Sequence, residues 1–155
     1  MRPVHKLEVA FKEKKDDSTG FAAKNDIEED LGIGGLDSIF TSEIYYIDAE
    51  LAAQKILEIA ENVFIDPLIQ KFSLKGNVHS GAKNFVEVKL HPDVTDNLGI
   101  VAKEAIEDYL GKPLEGNIRT SRKYYLYGDI DAKAAKRIAK ELLANEAIET
   151  FEVGK

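Results

Sequence analysis

Leu7, Val9 and Phe11 fall on every second position near the start of the chain, and Val86, Val88 and Leu90 repeat the spacing beyond its midpoint. This is the period-two pattern of a half-buried strand. A turn follows, marked in the later stretch by Pro92-Asp93. Asp17-Ser18 and Asp96-Asn97 then offer side-chain oxygens that can cap the free N–H groups of a helix start. Gly20, Ala23, Ile27 and Leu31 recur at spacings of three, four and four, matched by Gly99, Ala102, Ile106 and Leu110. That spacing predicts one helix face, with Gly and Ala allowing close approach to a sheet. Gly32 and Gly111 end the helices, since glycine accepts a left-handed C-terminal cap.

The stretches from Ser38 to Ile47 and from Asn117 to Tyr127 are rich in β-branched and tyrosine residues and read as strand. Each is either one long strand or two joined by a tight turn near Glu43 or Arg122. A second helix is predicted from about Ala52 to Phe64 and from Ala132 to Ala144. Leu68 to Leu74 and Ala147 to Val153 close each half as strands.

These parallels are one repeat. Shifted by 79 residues, Lys6 to Leu74 aligns without a gap on Phe85 to Val153, with 20 identities in 69 positions. About four would arise by chance, so the match marks a duplication. Residues 1–75 and 85–155 are the two copies, and 76–84 is a linker. The expected fold is α+β: two tandem ferredoxin-like β-α-β(β)-α-β units, each with two helices on one face of a mostly antiparallel sheet. So small a unit is marginal alone. Packing the two bare sheet faces together, or joining the two sheets, would stabilise both as an intramolecular pseudo-twofold dimer. Fusion holds the copies at an effective concentration on the order of millimolar.

Composition narrows the function. The 155 residues carry 21 basic and 28 acidic side chains, a net charge of −7, which argues against nucleic acid as a partner. The apolar runs are too short to span a bilayer, and His5, Lys6, Glu8 and Lys12 interrupt any leader-like stretch. With no cysteine as well, the expectation is a cytoplasmic protein without membrane contact. His5, His79 and His91 are far apart in sequence and are expected to be solvated, with no metal site.

Gly32-Ile33-Gly34-Gly35 follows a helix instead of leading into one, so it reads as a turn and not a phosphate cradle. The acidic runs Glu13 to Asp17 and Asp26 to Asp30 lack the alternating ligands of a calcium loop and read as solvated faces. Tyr45, Tyr46, Tyr124 and Tyr125 are assigned to packing between the copies. No Ser-His-Asp order, paired-carboxylate signature or lysine-nucleophile context stands out, so no catalytic residue is named.

The copies differ in charge. Over the aligned segments, Lys6 to Leu74 has seven lysines against fifteen acids, and Phe85 to Val153 has ten basic residues against thirteen acids. Phe40-Thr41-Ser42-Glu43-Ile44 aligns with Arg119-Thr120-Ser121-Arg122-Lys123. Arg119, Arg122 and Lys123 are therefore assigned to a partner interface, where a basic cluster can orient an acidic surface.

His91-Pro92-Asp93-Val94-Thr95-Asp96-Asn97-Leu98-Gly99 and Leu142-Leu143-Ala144-Asn145-Glu146-Ala147-Ile148-Glu149 resemble the PurS subunit of phosphoribosylformylglycinamidine synthase. That family has a Lys-Pro-Gly-Val-x-Asp-Pro-x-Gly opening and a Leu-Leu-Ala-Asn-Pro-Val-Ile-Glu close. Asp66-Pro67-Leu68-Ile69-Gln70-Lys71-Phe72 keeps the closing pattern in the first copy. The chain departs from the pattern at Glu13, Glu146 and Glu43-Ile44, which replace two prolines and a basic pair. The resemblance implies a non-catalytic adaptor of purine biosynthesis. It would couple a glutaminase subunit to an ATP-dependent synthetase subunit in a complex that uses ATP, magnesium and glutamine, none bound by this chain. One chain would stand in for a PurS dimer. The alternative is an ACT-like regulatory protein that binds a metabolite between its repeats.

Overall fold

A computed structural model describes residues 4–155. Strands and helices follow in the order β1 (Val4–Phe11), α1 (Ser18–Asp26), β2 (Leu36–Ala49), α2 (Ala53–Ile59), β3 (Gln70–Ser73), β4 (Asn84–Leu90), α3 (Asn97–Leu110), β5 (Gly116–Gly128), α4 (Ala132–Ile138) and β6 (Glu149–Gly154). The fold is α+β. All six strands lie in one antiparallel sheet in the order β3-β1-β2-β5-β4-β6. Of the two ways to cover the unit, the chain joins its sheets edge to edge through β2 and β5.

Local chemistry sets the helix limits. Asp17 accepts the Gly20 N–H at 2.9 Å, and Asp96 accepts that of Gly99 at 2.9 Å. The same carboxylates reach the sheet: Asp17 Oδ2 accepts the Thr41 N–H at 2.6 Å, and Asp96 Oδ2 accepts that of Thr120 at 2.6 Å. Each cap therefore also anchors its helix to a strand. α1, α2 and α4 each run into one wider π-type turn, over Ile27–Leu31, Ala60–Phe64 and Ala139–Leu143. Gly32 ends the first of these and Gly111 ends α3, both left-handed, at φ 63° and 71°. Gly20 and Gly99 sit so close to the sheet that a Cβ would overlap the carbonyl oxygens of Ile39 and Ile118.

The middle stretch of each half is one continuous strand, with no hairpin. At 14 residues, β2 spans about 46 Å at 3.3 Å per residue. β1 pairs only with its second part, Glu43 to Asp48, whereas β5 pairs along its whole length. The first part of β2 therefore overshoots its own half, and α1, stacked on it through Gly20, goes with it.

This overshoot crosses the helices over. In one core, Ala23, Ile27, Leu36 and Ile39 from the first half pack with Val86, Val88, Leu126, Ile138 and their neighbours from the second. In the other, Leu7, Val9, Ile47, Ile59 and Ala60 from the first half pack with Ala102, Ile106, Leu114 and Ile118 from the second. Strand alternation puts both cores on one face of the sheet, so all four helices cover that face. Neither half has a core of its own.

Candidate functional site

Alternation divides the residues assigned to a partner interface. Arg122 points to the helix-covered face, while Lys123 lies on the opposite, open face. Lys123 is only 2% exposed; its Nζ donates to Asn77 Oδ1 at 2.6 Å and lies 4.0 Å from the Phe85 ring centre. Burial pulls its pKa below the usual lysine value. Arg119 donates to the carbonyls of Val94 at 3.0 Å and His91 at 3.1 Å. Arg122 donates to Glu149 at 2.6 and 3.2 Å, to the Leu143 carbonyl at 2.7 Å and to Tyr124 Oη at 2.9 Å. All three basic groups are thus engaged within the chain.

Three of the four tyrosines join the halves. Tyr125 donates to Glu8, and Tyr46 donates to Glu87. Each carboxylate also accepts a serine of its own half, Ser42 to Glu8 at 2.7 Å and Ser121 to Glu87 at 2.8 Å. Every member of one set has an identical counterpart in the other, 79 residues away. Burial, then the adjacent carboxylate, pushes the Tyr46 and Tyr125 phenols up, so both remain donors at neutral pH. Burial would raise Glu87, but the Tyr46 and Ser121 hydroxyls and the Lys89 and Lys6 charges hold it below the usual carboxylate value. Glu8 is fully buried, and its Oε1 has no hydrogen-bond partner among the described residues. Tyr124 packs in the mixed core. Tyr45 stacks on Phe64 of its own half, 4.6 Å between ring centres.

The linker lies on the open face. Its His79 sits between Phe40 and Tyr125, with ring centres 4.9 and 5.0 Å away, and its Nε2 is 3.3 Å from the Thr41 carbonyl oxygen. Tyr127 donates to the Ser80 carbonyl at 2.8 Å. His79 is 7% exposed, so the expectation of three solvated histidines fails here. These two ring contacts are invisible to composition, and the segment's lack of periodicity hid its packing. Burial, aided by the Lys71 charge, lowers the His79 pKa.

On the helix-covered face a groove of about 420 Å³ opens beside the N-terminus of α3. Its walls include Val88, Val94, Leu98 and Ile148 from the second half, and its far side holds Glu43 and Tyr45 from the first. The Arg122–Glu149 pair forms part of its floor. Burial alone would raise Glu149, but Arg122 and the Asn145 N–H hold it below the usual carboxylate value. Glu43 and Arg122 face each other across β2 and β5, yet Arg122 pairs with Glu149. Glu43 is left with the Tyr45 hydroxyl, which donates to it at 3.0 Å. Burial and the Glu43 charge push that phenol up and keep it protonated. Sequence reasoning missed this groove because it combines residues from both halves; the exchange Glu43/Arg122 between the copies was its one trace.

Among the described residues, no three His, Cys, Asp or Glu side chains gather as a metal site, and no helix is long and apolar enough to cross a membrane. No protein-family model and no curated protein matches the chain.

Proposed function

We propose that the chain is two tandem ferredoxin-like repeats folded on each other as a pseudo-twofold dimer, and that it serves as a bridging subunit. In this reading it couples a glutaminase subunit to an ATP-dependent synthetase subunit of phosphoribosylformylglycinamidine synthase. The ATP, magnesium and glutamine belong to those partners. The carrying observation is the exchange of α1 and α3 between the cores: each half completes the other, as the subunits of an obligate dimer do. The PurS-like opening and closing motifs supply the partners' identity. Reconstitution tests it. Added to the two subunits, the chain should raise glutamine-dependent over ammonia-dependent amidine synthesis, and failure to bind either subunit would sink the assignment.

The groove beside α3 favours a second reading, the ACT-like metabolite sensor, because it draws on both halves and has the size of a small-molecule site. Thermal stabilisation by one member of a panel of amino acids and nucleotides would support that reading.

A further inference from the structure

We propose that the groove beside the N-terminus of α3 is a docking site for a short segment of a partner protein that carries apolar side chains next to a lysine or arginine. This inference rests on the bridging reading and specifies one of its contact surfaces.

The apolar surface extends beyond the groove. Leu98, on its lip, is 61% exposed, and Ile148 opposite is 41% exposed. Val101, one helical turn from Leu98 on the same face of α3, is also exposed, at 60%. Large apolar side chains gathered around a cleft mark a surface that another molecule covers. A small ligand could fill the cleft but would leave Val101 in water, whereas a peptide segment would cover both the cleft and its lip.

Charge selects the kind of segment. Arg122 is neutralised by Glu149 and also held by Leu143 and Tyr124, so it offers no net positive charge. Glu43 is exposed and has no ion-pair partner among the described residues. An acidic group beside an apolar wall complements a cation next to an apolar anchor. The surface occurs in one half only. Val94, Leu98, Val101 and Glu149 correspond to Lys15, Thr19, Ala22 and Gln70 in the first half. One chain therefore offers one such dock, which lets two similar halves serve different partners.

The test uses the full chain with isotope-labelled methyl groups and two short synthetic helical peptides, both with leucines at i and i+4, one bearing lysines and the other glutamates. The lysine peptide should shift the Val88, Leu98 and Ile148 methyls and bind at least about tenfold more tightly than the glutamate peptide. Glu43→Lys should reverse that preference. Leu98→Asp should weaken binding about tenfold, while Thr19→Asp at the matching site of the first half leaves it unchanged. Absence of groove shifts, or shifts induced by free leucine or phenethylamine but not by either peptide, would overturn the proposal. The purified glutaminase and synthetase subunits are then added as competitors. Displacement of the lysine peptide by one of them supports the dock, and binding of both without displacement overturns it. If neither subunit binds the chain while the peptide still selects Glu43, the groove assignment is supported and the bridging reading falls.

Discussion

Ile59 and Ile138 occupy matching places in the two cores, as do Gly20 and Gly99 at the helix–sheet contacts, and in both pairs the residue is the same. Glu43 and Arg122, or Ile44 and Lys123, also occupy matching places, yet their chemistry is opposite. The difference lies in what each position must do. Core and contact positions answer to the same packing twice, so change is costly in either half. Positions at the groove and under the linker meet surroundings that exist only once. The linker covers Lys123 through Asn77, and Glu149 holds Arg122, with Gln70 as its counterpart in the first half.

The largest expected effects test the shared skeleton. Ile59→Ala and Ile138→Ala should each cost about 2–5 kcal/mol by leaving a cavity at a fully buried site. Because α1 and α3 cross between cores, each variant should unfold in one urea transition. Two separable transitions, with only one moved, would break the interlocked picture. Next, Gly20→Ala and Gly99→Ala should each cost about 1–3 kcal/mol, since the added methyl collides with a strand carbonyl. A loss in one half only would show that the helix contacts are not equivalent.

Smaller effects test the asymmetry. Arg122→Ala should cost about 1–3 kcal/mol, the value for a pair that is buried on the Glu149 side and part-exposed on the arginine side. Glu43→Ala, an exposed group, should change stability by about 0.5 kcal/mol or less. Equal costs would remove the contrast between the halves. The smallest effect is pH dependence. The folded His79 pKa lies below its ordinary value of 6.5, so its contribution is complete above that pH and is lost as pH falls through the folded value. His79→Gln should flatten the stability profile in that window, measured by thermal melts across pH. An unchanged profile would mean that His79 does not titrate on the open face.

Much of this was legible along the chain. The caps at Asp17 and Asp96, the left-handed ends at Gly32 and Gly111, and the close approach at Gly20 and Gly99 all follow from local rules over a few residues. The candidate site was less so. Arg119, Arg122 and Lys123 look like one basic cluster in sequence, but strand alternation and hydrogen bonding give them separate environments. The groove could not be read, because Glu43 and Leu98 come to line one groove only when β2 and β5 pair.

The sequence by itself determined the order of strands and helices, the 79-residue self-match and which face of each helix is apolar, since these depend on period, capping and self-similarity. Only the tertiary structure decided which sheet region each apolar face would cover. Periodicity says that Ile27 and Ile106 must be buried, but not in which half. That choice was made by the length of β2 and β5, which pair along their full length and carry α1 and α3 across the centre of the sheet.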